Sequence, residues 1–224
     1  MRILASADVH GSQPVYEWLL NLAREQEVDA IVLAGDLFGY LHGFDTPEEA
    51  QRHEARLLTD VLEGTGLPVL YIMGNDDLVD LKPAGRVQSI HGREVRCGRF
   101  TFVGYQYSLP FMGGTFEKPD TDIRIDLANL PARLGPETVF VSHSPALGIL
   151  DPGLSDVHIG SHALREFLDA NPCRAHIHGH SHAGFGRQGN HFNVASAARM
   201  RSMIIDLETM GHQVMGLGHT KPEA

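Results

Sequence analysis

The chain has 224 residues, 42% of them apolar and 21% charged, a balance that supports a buried core and excludes disordered and collagen-like classes. Its length suits one α/β domain, taken as 1–224. A formal charge of -10 sets most of the surface against a phosphate backbone or an anionic bilayer, so broad nucleic-acid or membrane binding is not expected.

Arg2 to Ala7 is a short apolar run that ends in the polar turn Asp8-Val9-His10-Gly11, and Gln13 to Glu27 then carries Val15, Trp18, Leu19 and Leu22 at helical spacing. The pattern repeats. Ala30 to Ala34 ends at Gly35-Asp36, a helix is predicted over Pro47 to Glu63 from its leading proline and acidic residues, and Val69 to Met73 ends at Gly74-Asn75. Three apolar runs separated by helices are the βαβαβ signature of a largely parallel sheet, whose ligands gather outside the carboxyl ends of the strands.

Arg93 to Arg96 and Arg99 to Val103 flank Cys97-Gly98 and read as a hairpin, the start of a second sheet. Tyr105 to Asp122, rich in Gly, Pro and aromatics, reads as a surface loop that acts as a lid or is simply mobile. Thr138 to Val141 is a strand ending at Ser142-His143-Ser144-Pro145, and Ser161 is placed to cap a helix through Ala170. Arg174 to Ile177 leads into a His-rich turn, and His191 to Val194 and Met203 to Leu207 are two further strands. Gly211 to Ala224 carries no strong signal, and no repeat or linker is evident.

Histidine is the unusual residue: there are 14, four of them in His176-x-His178-Gly-His180-x-His182. Imidazole is the commonest metal-binding side chain, so ligation is the first hypothesis. Cys97 and Cys173 are the only cysteines; without a Cys-x-x-Cys pair they indicate neither a disulfide framework nor a thiolate zinc site, and they fit a reducing compartment. The apolar start reaches Asp8 too soon for a signal-peptide core, and no run approaches a membrane span, so a cytoplasmic protein is expected.

Taken singly, each polar pair has an ordinary reading. Asp8-x-His10 at a strand end can hold one ion or form a hydrogen-bonded turn, Asp36 can bridge two ions or cap a helix, and Gly74-Asn75-Asp76-Asp77 can offer an amide oxygen or be a plain turn. A lone His143 after a strand is commonly structural, whereas His180 and His182 beside Gly179 make a stronger metal pair. Together, five segments in order each end a predicted strand with hard oxygen or imidazole nitrogen. That donor set suits manganese, iron or zinc with open positions better than calcium.

The ordered set Asp8-x-His10, Gly35-Asp36, Gly74-Asn75, His143 and Gly179-His180-x-His182 resembles the calcineurin-like metallophosphoesterase family, over residues 1 to about 207. The resemblance implies a four-layer α/β/β/α sandwich with two central sheets flanked by helices. It also implies two divalent or trivalent ions, manganese and/or iron with zinc as an alternative. One ion would be held by Asp8, His10, Asp36 and His182, the other by Asp36, Asn75, His143 and His180, with Asp36 bridging. The implied activity is hydrolysis of a small phosphoester by a metal-bridging hydroxide. A covalent alternative through Ser142 or Ser144 lacks a G-x-S-x-G elbow and leaves the other histidines unexplained.

One position departs from the family pattern. Phosphatase-like members carry His directly after the Gly-Asn pair, where it contacts substrate or protonates the leaving group, and this chain has Asp76. An ionised Asp76 disfavours a doubly charged monoester and could donate a proton only with a raised pKa. Family members without histidine here tend toward diesters, so the resemblance implies small phosphodiesters, such as cyclic nucleotides, as substrates. Asp77 is expected to orient its neighbours. A phosphomonoesterase is the nearest alternative, and a non-catalytic metal-binding scaffold is the alternative of a different class. Homo-oligomerisation is left open. His176 and His178 read as strand residues behind the ligand pair, His158 and His162 as a solvated helix start or substrate rim, and Tyr105, Tyr107, Phe111 and Phe116 as loop packing or a contact for a base.

Overall fold

A computed structural model describes residues 1–130, 133–153, 155 and 157–216. The first three strands and two helices form as their apolar patterns dictate: β1 (Arg2–Ser6), α1 (Gln13–Glu25), β2 (Ala30–Ala34), α2 (Pro47–Glu63) and β3 (Val69–Ile72). Helix α1 stops short of its predicted end, with Glu27 turned to a left-handed φ of 49°. Thr46 caps α2 by accepting the Glu49 N–H at 3.2 Å, the Thr-x-x-Glu arrangement of a capping box, and Pro47 fills the first turn where no N–H is needed.

The remaining elements are β4 (Val87–Ser89), β5 (Glu94–Cys97), β6 (Phe100–Tyr105), α3 (Asp120–Ala128), β7 (Thr138–Ser142), α4 (His162–Ala170), β8 (Ala175–His178), β9 (Gly186–Gln188), β10 (His191–Asn193), β11 (Arg201–Asp206) and β12 (His212–Gly216). They build two six-stranded sheets, ordered β12-β11-β1-β2-β3-β4 and β5-β6-β7-β8-β10-β9. Strands β1 to β4 run parallel while β11 and β12 add antiparallel pairs, and β6, β7, β8 and β10 run parallel between antiparallel β5 and β9.

Strand periodicity explains the layering. On β1 and β2, Ile3, Ala5, Ala30, Val32 and Ala34 face the second sheet, while Leu4, Ile31 and Leu33 face α1 and α2. On the second sheet Phe102, Val139, Val141 and Ile177 meet the first, and Val103, Tyr105 and Phe140 pack on Ile123 and Leu127 of α3 and Leu164 and Leu168 of α4. The result is the four-layer α/β/β/α sandwich expected from the motifs. Each fully buried Leu, Ile or Phe contributes roughly 1.5–3 kcal/mol. Gly104 lets the sheets approach closely, since a Cβ there would collide with the Ile72 side chain.

Two expectations need correction. Tyr105 to Asp122 is not loop throughout: β6 includes Tyr105, Ser108 bridges Glu117, and α3 begins at Asp120. The stretch from Gly211 does carry structure, because His212–Gly216 pairs along β11 as the sheet's edge strand; residues 217–224 lie outside the described residues. Among the described residues no helix is long and apolar enough to cross a membrane.

Candidate metal centre

The polar pairs converge at one rim because β1, β2 and β3 are parallel neighbours and all end there. The loops after β1 and β2 are laced together by backbone bonds, Asp8 N–H to the Gly35 carbonyl at 3.0 Å, His10 N–H to Asp36 at 3.0 Å and Gly11 N–H to Leu37 at 2.9 Å. Within the second sheet the Gly179 N–H donates to the His143 carbonyl at 3.1 Å, and across the sandwich the His180 N–H donates to the Asp8 carboxylate at 3.2 Å. Both sheets therefore contribute to one cluster.

Four of the seven candidate ligands have left-handed backbones: His10 at φ 49°, Asp36 at 53°, Asp8 at 56° and His180 at 64°. Such a conformation costs of order 1–3 kcal/mol at a non-glycine residue, and strain of this kind concentrates at functional sites where the surroundings over-determine it. Here the lacing of the β1 and β2 loops supplies that constraint.

The side chains meet closely. His143 Nε2 lies 2.9 Å from Asn75 Oδ1 and 3.4 Å from Asp36 Oδ1, with its Nδ1 donating to the Ala34 carbonyl at 2.8 Å. His182 Nε2 is 3.2 Å from Asp8 Oδ1, and the His180 ring stands 5.2 Å from that of His143. Asp8, His10 and His182 form one group with donor atoms within 4.8 Å of each other, Asp8, Asp36 and His143 a second, and His10, Asp36 and Asp76 a third. Carboxylate, amide oxygen and imidazole without thiolate suit a divalent cation of the manganese, iron or zinc type. The space around the donors is kept open by Gly74, where a Cβ would strike the Asp36 carboxylate and lie 2.7 Å from the His143 ring. The residues fit a metal centre.

Electrostatics tie the cluster together. Burial alone would lower the pKa of His143, but the Asp36 carboxylate outweighs it and holds the imidazole up at about 10. Burial would likewise raise Asp36, and His143 reverses this, holding the carboxyl below its ordinary range. His180 is pushed down to about 4 by burial and by the charge on His143. Asp76, half-buried beside its own loop, is raised by burial and by Asp36. Its N–H donates to Asp36 Oδ1 at 2.9 Å, its Oδ1 accepts from Asn75 Nδ2 at 2.9 Å, and its Oδ2 lies 3.5 Å from His10 Nδ1.

Asp77 points away from the cluster, fully buried, and accepts the N–H groups of Leu37 and Phe38 at 2.9 Å and of Gly74 at 2.8 Å. It joins the loop after β2 to the loop after β3. His176 and His178 are buried beneath the rim, stacked with ring centroids 5.1 Å apart. Ser142 Oγ, 2.8 Å from His176 Nε2, donates to the Ser144 carbonyl at 2.6 Å, and both serines are fully buried, which removes the covalent alternative's nucleophile from solvent. His158 pairs with Asp151 at 2.8 Å and His162 is exposed. Sequence reasoning missed the braces. Gln51 of α2 donates to the Asp76 carbonyl at 2.9 Å and accepts the Leu78 N–H at 2.6 Å, and Arg201 of β11 donates to the His182 carbonyl.

The family model described as calcineurin-like phosphoesterase matches residues 1–184. The chain belongs to the calcineurin-like phosphoesterase family. No curated protein matches it closely enough to add to this. Among solved structures, one crystal structure aligns at 13% identity over 96% of this chain and 98% of its own, with a TM-score of 0.80. The protein TT1561 of Thermus thermophilus aligns at 17% identity over 96% and 98%, TM-score 0.69. A dimetal phosphatase from Danio rerio aligns at 11% identity over 96% of each chain, TM-score 0.62. At these identities the likeness concerns the fold. Family membership makes the chain a metallophosphoesterase by class, and the Asp and His clusters are where its metals can bind.

Proposed function

We propose that this calcineurin-like phosphoesterase hydrolyses small phosphodiesters in preference to monoesters, with Asp76 setting the preference. Asp8, His10, Asp36 and His182 would hold one ion and Asp36, Asn75, His143 and His180 the other, manganese or iron in a reducing cytoplasm, with zinc as an alternative. When bound, paired cations of this kind supply Lewis-acid charge at phosphorus and an acidified water. The resemblance to the Danio rerio dimetal phosphatase is consistent with a two-metal site.

The remaining work falls to the chain. His143 must shed its proton to ligate, and its Nδ1 bond to Ala34 keeps the Nε2 edge aimed at Asn75 and Asp36. Asp77 and Gln51 fix the backbone that carries Asn75 and Asp76. Asp76 then acts in two ways. As a carboxylate it repels the second negative charge of a monoester, and its raised pKa makes it a better proton donor to a departing alkoxide than an ordinary aspartate.

The observation that carries this reading is the position of Asp76, hydrogen-bonded to Asp36 and Asn75 and 3.5 Å from His10. The test compares an aryl phosphodiester with the matching monoester, using metal-stripped protein refilled with manganese. Asp76→His should shift the ratio of kcat/KM values toward the monoester by about tenfold or more. An unchanged ratio would sink the Asp76 assignment, and inactivity of the metal-loaded wild type toward both esters would favour the scaffold.

A further inference from the structure

The aromatic residues between β6 and α3 divide into two groups. Tyr105 is buried, with its hydroxyl donating to Asp126 at 2.8 Å; Tyr107 and Phe116 pack together, with Lys118 Nζ 3.9 Å from the centre of the Tyr107 ring. These three form the footing of the loop. Phe111 is different: it is 66% exposed, and its neighbour Met112 is 76% exposed.

The turn that presents them is built, not slack. The Glu117 carboxylate accepts the N–H groups of Phe111 and Met112 at 2.9 Å and of Gly113 at 2.8 Å. Ser108 closes the base, donating its N–H to Phe116 at 3.0 Å and accepting that of Lys118 at 2.9 Å. Gly114 lies so close to the Asn75 carbonyl that a Cβ there would collide with it, which seats the turn on the very loop that carries Asn75 and Asp76. The Phe111 ring meets the His180 ring edge-on, 5.9 Å between centres. Phe111 is thus held in water beside the polar donor cluster, with Met112 exposed next to it in the turn, at a hydrophobic cost that folding alone does not require.

We propose that Phe111, backed by Met112, determines specificity by receiving the planar apolar substituent of the phosphodiester, an aryl group or a nucleobase, while the phosphoryl group sits at the donor cluster. The inference rests on the phosphodiester reading above and adds the substrate's second half. An aromatic face offers stacking that tolerates many ring systems, and Met112 is a polarisable side chain suited to an irregular apolar contact. Glu117 acts as a positioning residue by holding the turn in shape before substrate arrives.

Binding to manganese-loaded protein can be measured by calorimetry with diphenyl phosphate and dimethyl phosphate, alongside turnover of bis(p-nitrophenyl) phosphate. The wild type should prefer the diphenyl ester, and Phe111→Ala should weaken that ligand by about tenfold while leaving the dimethyl ester unchanged. Phe111→Trp should restore the preference, and Glu117→Ala should reduce it in the same sense as Phe111→Ala. Equal affinity for the two ligands in the wild type, or a Phe111→Ala effect common to both, overturns the inference; the second result would mean that Phe111 only props His180. A Phe111-dependent preference in a protein that turns over no diester keeps the subsite and removes the diesterase reading. Diester turnover without any such preference does the reverse.

Discussion

Asp36 and His143 face each other with Oδ1 and Nε2 3.4 Å apart, almost wholly shut off from solvent. The pair joins the end of β2 in one sheet to the end of β7 in the other, so the centre of the donor cluster is also a tie between the two halves of the sandwich. In the metal-free protein each charge compensates the other. A cation held by both residues would have to displace the proton between them.

This gives the first expectation. His143 is held protonated up to about 10 by Asp36 against the opposing effect of burial, and a ligating imidazole must be neutral. Manganese binding near pH 8 should therefore release about one proton from this residue. The metal-free state carries the proton below its raised pKa and the loaded state does not, so affinity should increase with pH until that pKa is passed. Titration calorimetry in buffers of different ionisation enthalpy reads the proton count directly. An affinity that stays flat between about pH 7 and pH 9 would show that no proton leaves His143 on binding, contradicting either its raised pKa or its assignment as a ligand. A His143→Ala variant that binds manganese as tightly as the wild type would single out the latter.

Much of this was legible in the chain because apolar runs ended in Gly-flanked polar pairs. Ala30 to Ala34 followed by Gly35-Asp36 declares both a buried strand and a rim residue. What stayed hidden has physical reasons. Strands β4 and β9 have three residues each, too few to display a period of two. Helix α3 buries only Ile123 and Leu127 and fills its other positions largely with charge, so it has no apolar stripe to detect. Strand β12 is paired on one side only and is half-buried. Gln51 acts on backbone groups distant in sequence and Glu117 on a turn just before it, and nothing in their local pattern distinguishes either from ordinary polar residues. Phe111 was visible as an aromatic in a loop, but its separation from Tyr105, Tyr107 and Phe116 depends on which rings the loop's footing consumes.

Asp77 offers a test of stability separate from chemistry. Its carboxylate is fully buried and accepts three backbone N–H groups, from Leu37, Phe38 and Gly74. Asp77→Ala would strand these donors, each unsatisfied one costing about 1–3 kcal/mol, so a loss of about 3 kcal/mol or more is expected. Urea unfolding of the metal-free protein measures it without interference from metal affinity. A midpoint within error of the wild type would show that water replaces the carboxylate and that Asp77 does not brace the two loops.

The buried histidines behind the rim give the chain a one-sided response to acid. Ser142 Oγ gives its proton to the Ser144 carbonyl, so it accepts from His176 Nε2, and His176 Nδ1 is left to accept from His191 Nδ1 at 3.0 Å. A second proton on His176 would meet that donor with no acceptor available. Burial first, then His178 and His191, hold its pKa well below the ordinary value. The unfolded chain binds the proton near pH 6.5 and the folded chain does not, so the contribution to stability is whole above about 6.5 and is lost as pH falls below it, by up to about 1.4 kcal/mol per pH unit. His176→Gln keeps a side-chain N–H for Ser142 and cannot titrate. Between about pH 7.5 and pH 5.5 the wild-type urea midpoint should therefore fall further than that of the variant. An equal fall in the two proteins would show that His176 takes up its proton in the folded state, through a rearrangement of the contacts with Ser142 and His191.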